Sequence, residues 1–171
     1  MKKILAIGTL FFLLTGFGLV FAQDDDITKH PACPYCGMDR AKFAHTRMLI
    51  EYEKGTPLGI CSIHCAAVDM AFMIDRSPVT MWVGDYNTKK LIDAEKAHWV
   101  IGGDKMGVMT KRAKWAFADK KDAEAFINAH GGTPASFEEA IEATYADMYK
   151  DTRMIREKRK MMREKKMKKD N

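Results

Sequence analysis

The chain has 171 residues and a formal net charge of +5, with 47% hydrophobic and 30% charged residues. These fractions are ordinary for a globular protein, and they argue against a chain disordered throughout or a multi-span membrane protein. The length allows one domain with at most one appendage. The segment 150–171 holds eleven basic and four acidic residues, so the rest of the chain is mildly acidic. We therefore expect no nucleic-acid partner.

The N-terminus has the pattern of an export signal. Lys2 and Lys3 precede an uncharged apolar run from Ile4 to Ala22, which Gln23 and three aspartates follow. A basic start, an apolar stretch and a small residue before a polar segment are typical of a secretory signal peptide. We predict a signal peptide over residues 1–22 and a periplasmic protein. The alternative is an uncleaved anchor, because the run is long enough to span a bilayer.

The remaining chain predicts short strands that alternate with helices. After a loose polar lead-in at 24–31, strands are expected at 47–53, 58–61, 79–83, 99–101 and 114–118. Ser62 begins a helix in which Ala66, Ala67, Met70 and Ile74 share one face. Asp119 begins a second helix, which ends at Gly131. Ser136 and Glu139 form a capping box for a third. This order predicts an α+β fold, with a small, mostly antiparallel sheet and helices packed to one side.

Four cysteines carry the strongest chemical signal. Cys33 and Cys36 are spaced for a tight turn, and Cys61 and Cys65 are spaced to share one face at a helix start. A helix N-terminus lowers a thiol pKa, which favours the thiolate that binds metals. The two pairs could form a zinc cage, present soft ligands to Cu(I), or form two disulfides. His64 is a further candidate metal ligand or a surface residue.

Methionines add a second signal. Met38 follows Cys36 by two residues, and Met106 and Met109 flank Gly107 in a glycine-rich segment. A thioether is a poor ligand for Zn²⁺ and a good one for Cu(I). The other interpretation is that methionine fills gaps in a core. It accounts better for Met48, Met70, Met73 and Met81.

Three motifs in order resemble the NosL family, the nitrous oxide reductase accessory proteins. They are Cys-Pro-Tyr-Cys-Gly-Met at 33–38, the glycine-rich run 99–109 ending in methionine, and the strand–helix–glycine unit over 114–132. The resemblance implies a small periplasmic Cu(I)-binding protein that helps to supply copper to a reductase. It also implies a fold related to the organomercurial lyase MerB. The family's ligands fall on Cys36, Met38 and Met109.

The sequence thus predicts a copper chaperone rather than an enzyme. Its client would be a periplasmic reductase such as nitrous oxide reductase. The alternatives are a zinc-stabilised interaction module and a thiol–disulfide oxidoreductase that uses Cys33 and Cys36. We expect the metal-binding domain at 23–150 and a basic, methionine-containing helical tail at 151–171, which could dock on an anionic membrane surface. The candidate metal ligands are Cys33, Cys36, Met38, Cys61, His64, Cys65 and Met109.

Overall fold

A computed structural model of the chain describes residues 25–170. The predicted signal peptide therefore lies outside the described residues. This part of the chain contains four helices and seven strands. Their order is α1 (Asp25–Lys29), β1 (Met48–Tyr52), β2 (Leu58–Ile60), α2 (Ile63–Phe72), β3 (Pro78–Gly84), β4 (Leu91–Asp93), β5 (His98–Ile101), β6 (Lys114–Phe117), α3 (Lys120–His130), β7 (Thr133–Ala135) and α4 (Phe137–Asp170).

The strands form two small antiparallel sheets. The first has the order β2-β1-β3-β4, and the second has the order β6-β5-β7. The predicted α+β class is confirmed, although the sheet is divided in two. The sequence analysis did not identify β4 and β7 as strands. Each has only three residues, which is too short for an alternating pattern to show.

The larger core lies where the first sheet meets α2 and the start of α4. Met48, Ile50 and Ile60 are fully buried there, as are the first turns of α2. Residue Ile74, predicted to face inward, is instead 80% exposed. Helix α2 ends at Phe72, so the helical spacing that placed Ile74 inside no longer applies. A second core packs Trp115, Phe117 and Phe126 between the second sheet and α3.

The lead-in is not loose as predicted, because it forms α1 and buries Asp26. Asp26 Oδ2 lies 2.7 Å from Arg40 Nη2, and its Oδ1 lies 2.9 Å from Arg47 Nη2. Arg40 also donates to the carbonyl oxygens of Ile60 (3.1 Å) and Met48 (3.0 Å). Each nitrogen of the buried Arg40 guanidinium donates hydrogen bonds. Arg40 therefore joins α1 to the β1–β2 hairpin without leaving a buried charge unpaired.

The C-terminal helix is a single element of 34 residues. The predicted capping box is present: the Ser136 N–H donates to Glu139 Oε2 (2.7 Å), and the Glu139 N–H donates to Ser136 Oγ (3.2 Å). The helix continues without interruption past residue 150, and buried Asp151 accepts a hydrogen bond from the Lys111 N–H (3.1 Å). Side chains from Arg156 to Lys169 are exposed. Among the described residues, no helix is both long and apolar enough to cross a membrane.

Candidate metal centre

The first cysteine pair lies on a tight loop. Ala32 and Asp39 form an isolated antiparallel bridge, and the Cys33 N–H donates to the Met38 carbonyl (2.9 Å). The Gly37 N–H closes the turn on the Cys33 carbonyl (2.8 Å). Gly37 has φ = 73°, a left-handed conformation that favours glycine. Glycine at this position therefore lets the chain reverse directly after Cys36.

The second cysteine pair lies where β2 ends and α2 begins. Cys61 follows the last residue of β2, and Cys65 lies in the first turn of α2. The β1–β2 hairpin pairs Met48 with Ile60, so the chain returns at Cys61 to the level at which β1 began. Ser62 occupies the N-cap position, although its side chain makes no capping hydrogen bond. The hairpin therefore carries the second pair back to the first.

All four cysteine sulfurs lie within 4.8 Å of one another. The Cys36 and Cys61 sulfurs are 3.4 Å apart, and those of Cys61 and Cys65 are 3.7 Å apart. Four sulfurs around one ion at about 2.3 Å would form a tetrahedron with edges of about 3.8 Å. The thiols are free, not bridged. This thiol cluster is thus already spaced to hold one soft metal ion.

Burial differs among the four thiols. Cys33, Cys61 and Cys65 are at most 1% exposed, whereas Cys36 is half-buried. Solvent and any exchanging ligand therefore reach the thiol cluster most directly at Cys36. Arg159 of α4 lies beside this opening, because its Nη2 donates to the Cys36 carbonyl (2.7 Å).

The two cysteine pairs differ in how readily they carry negative charge. Hydrogen bonds from Cys36, Cys61 and Cys65 hold the pKa of Cys33 far below its ordinary value. Hydrogen bonds to Cys33 and Cys36 raise the pKa of both Cys61 and Cys65, and burial raises them further. The prediction that the helix N-terminus lowers the pKa of the second pair is therefore wrong. Negative charge is therefore favoured on the first pair, where the pKa of Cys36 is lowered too, and a bound cation would stabilise the thiolates of Cys61 and Cys65.

The buried carboxylate of Asp69 lies on the same helix as Cys65. Asp69 is 1% exposed and follows Cys65 by one helical turn on α2. Its Oδ1 accepts a hydrogen bond from the Tyr35 hydroxyl, and its Oδ2 accepts one from the Tyr52 hydroxyl. Burial, followed by the hydrogen bond to Asp69, raises the pKa of Tyr35 well above its ordinary value, so this hydroxyl stays a donor. Sequence reasoning missed these residues, because nothing local marks an aspartate in a helix as a partner of distant tyrosines.

The other predicted ligands lie around the same core. Met38 and Met109 are half-buried and pack against the core that contains Cys33, Cys61 and Cys65. His64 is buried, with its Nδ1 4.0 Å from Asp151 Oδ2. Of the His, Cys, Asp and Glu side chains in the described residues, the four cysteines are grouped within 4.8 Å, and His64 is not among them. Ligation by Met38, His64 and Met109 stays a prediction.

Comparison with known proteins supports the resemblance drawn from the motifs. The family model described as NosL matches residues 24–145. A solved structure, the copper chaperone NosL from Shewanella denitrificans, aligns with a TM-score of 0.52 and 26% sequence identity. The alignment covers 63% of this chain and 87% of that one. No curated protein matches the chain.

Proposed function

The chain belongs to the NosL family, and from that premise we propose that it is a periplasmic Cu(I) chaperone that delivers the ion to a metalloenzyme such as nitrous oxide reductase. The observation that carries the proposal is the thiol cluster, in which four sulfurs from two separate segments lie within 4.8 Å. A similar solved structure is that of a copper chaperone. The chain is accordingly a metal-binding protein and not an enzyme.

The chemistry of the proposed donors favours a soft ion. Thiolates bind both Cu(I) and Zn²⁺, but a thioether is a much better ligand for Cu(I). Met38 and Met109 pack against the core that holds the thiol cluster, so each is available to supplement or replace a thiolate. We keep His64 in the proposed ligand set as a buried donor next to Cys65 in the chain, which would have to turn from Asp151 to reach the metal ion.

Exchange of the ion would take place at Cys36. It is the least buried of the four sulfurs, so an incoming ligand from a client can reach it first. Ligand-by-ligand replacement at an exposed thiolate allows transfer without release of free copper into water. The buried thiols Cys61 and Cys65 would hold the ion until the client supplies further ligands.

We also propose that residues 23–150 form the metal-binding domain and that 151–171 form a functional extension. The exposed part of α4 carries most of the basic residues of this segment, and it projects as a helix. Each basic residue near an anionic membrane surface contributes about 1 kcal/mol of binding. Such docking would hold the chaperone near membrane-associated clients. Residues 1–22 would direct export.

Zinc is the strongest competing ion for the same ligands. Structural zinc sites are closed, four-coordinate and commonly made of four thiolates, and the sulfur spacing here fits that geometry. A structural zinc site would make the chain an interaction module. The oxidoreductase alternative has less support, since redox pairs of this spacing open a helix, whereas Cys33 and Cys36 lie on a loop.

The decisive experiment is metal analysis of the chain purified under reducing conditions, followed by Cu(I) competition against a chelator. We expect one Cu(I) per chain, and we expect Cys36→Ser to weaken its binding by more than a hundredfold. Met38→Leu and Met109→Leu should weaken Cu(I) binding but not Zn²⁺ binding. Met73→Leu is the matched control, because Met73 is half-buried outside that core. Tight zinc and weak copper binding would favour the interaction module, and unchanged affinity in Cys36→Ser would refute the proposed site.

A further inference from the structure

The carboxylate of Asp69 joins three segments, two of which carry the cysteines of the thiol cluster. It projects from α2, one turn after Cys65. One oxygen accepts a hydrogen bond from Tyr35, which lies between Cys33 and Cys36 on the loop. The other oxygen accepts from Tyr52 at the end of β1. The side chain of Asp69 therefore connects both cysteine-bearing segments directly.

The loop that carries the first cysteine pair has few other anchors. Pro34, Tyr35 and Gly37 at its tip are exposed. Apart from the contact between the Cys36 and Cys61 sulfurs, the side-chain hydrogen bonds that tie this tip to other elements of the described chain are those of Tyr35 to Asp69 and of Arg159 to the Cys36 carbonyl. The Arg159 contact is exposed to solvent, whereas Asp69 is buried. A hydrogen bond to a buried carboxylate is stronger than one exposed to water, so Asp69 is the firmer anchor.

We propose that Asp69 is a positioning residue for the metal centre, which holds the Cys33–Cys36 loop in its metal-binding conformation through Tyr35. The inference rests on the proposed function only in taking the four cysteines as the ligands. Without this anchor, the metal-free loop would open, and its sulfurs would leave the positions they hold beside Cys61 and Cys65. The apparent affinity for metal falls by the same factor as the population of the closed loop.

The two tyrosines provide a matched pair of variants. Tyr35→Phe and Tyr52→Phe each remove one hydroxyl, and each leaves one oxygen of the same carboxylate without its partner. Only Tyr35 lies on the loop that carries metal ligands. Both variants should therefore lose similar stability, but they should differ in metal affinity. Asp69→Asn is a third variant, which weakens both hydrogen bonds together.

The test measures four quantities in the full chain under reducing conditions. They are the Cu(I) affinity, the Zn²⁺ affinity, the amide hydrogen exchange of Gly37 in the metal-free protein and the urea midpoint of unfolding. Loss of a hydrogen bond to a buried carboxylate should weaken binding of both ions by about tenfold in Tyr35→Phe. Gly37 exchange should rise in the same variant, because its N–H closes the loop on Cys33. Tyr52→Phe should change only the urea midpoint of unfolding.

Two outcomes would overturn the inference. Equal metal affinities in Tyr35→Phe and Tyr52→Phe would show that Asp69 stabilises the fold without positioning the ligands. Unchanged Gly37 exchange in both Tyr35→Phe and Asp69→Asn would show that the loop stays closed without this anchor. Failure of the proposed function gives a different result, since the wild-type chain would then bind Cu(I) weakly while the difference in Gly37 exchange between the tyrosine variants persists.

Discussion

Removal of residues 152–171 should leave a folded domain that still binds its metal but releases it faster. The truncation keeps Asp151, which is buried, and removes the exposed part of α4. It also removes half-buried Thr152, Met154 and Ile155, and the hydrogen bond from Arg159 to the Cys36 carbonyl (2.7 Å). We therefore expect two separate effects, one on stability and one on the metal centre.

The size of each effect follows from what is lost. Partial burial of two apolar side chains and one hydrogen bond from a charged donor together contribute about 2–3 kcal/mol to the free energy of unfolding. The hydrogen bond of Arg159 alone, about 1 kcal/mol at an exposed position, corresponds to about fivefold faster Cu(I) release. Urea unfolding measures the first effect, and stopped-flow transfer of Cu(I) to a chelator measures the second.

Single substitutions in the full chain separate the contact from the charge of the tail. Arg159→Gln removes the contact with Cys36, whereas Arg163→Gln removes the same charge one turn further along exposed α4. Arg159→Gln should reproduce the faster release, and Arg163→Gln should not. The reasoning is refuted if both variants release Cu(I) at the same rate. It also fails if the truncated chain does not fold or loses its tight site, since the tail would then be part of the domain.

Three further predictions concern the buried ion pair, the thiols and the tail. Asp26→Asn should lower the free energy of unfolding by about 3–5 kcal/mol in urea, because two buried guanidiniums lose their carboxylate; a loss below about 1 kcal/mol would contradict this. Burial raises the pKa of Asp26, but Arg47 and Arg40 outweigh burial and lower this pKa overall. The contribution of Asp26 to the free energy of unfolding is therefore present above a pH of about 4 and is lost as the pH falls further. Urea midpoints between about pH 5 and pH 2 should therefore fall more steeply in the wild type than in Asp26→Asn. Metal binding should release protons, which a pH-stat measures, and the metal affinity should fall as the pH falls. The reason is that Cys61 and Cys65 must lose their protons against a raised pKa. A metal affinity independent of pH would exclude Cys61 and Cys65 as thiolate ligands. The full chain should bind anionic vesicles at low salt and dissociate at high salt, whereas the chain lacking 152–171 should not bind; equal binding of both forms would place the membrane contact elsewhere.

Local patterns in the sequence determined the elements on which the metal centre is built. The pattern of residues 47–53 and 58–61 predicted two strands close together in the chain, and the antiparallel register of β1 and β2 shows that they form a hairpin, which returns Cys61 toward the first cysteine pair. The spacing of Ser136 and Glu139 predicted the start of α4 correctly. Such signals can be read from sequence because hydrogen bonds of hairpins and caps join residues close in the chain.

Only the tertiary structure decided which polar groups are buried and what they contact. Asp26 belongs to an acidic run that indicates a solvated lead-in, but its partners Arg40 and Arg47 lie 14 and 21 residues further along. The contact between Arg159 and Cys36 joins residues 123 positions apart. The direction in which each thiol pKa shifts likewise depends on which sulfurs are neighbours, so helix position alone predicted it wrongly for Cys61 and Cys65. Burial, hydrogen bonding and pKa are set by neighbours in space, and packing brings those neighbours together from segments that carry no common local pattern.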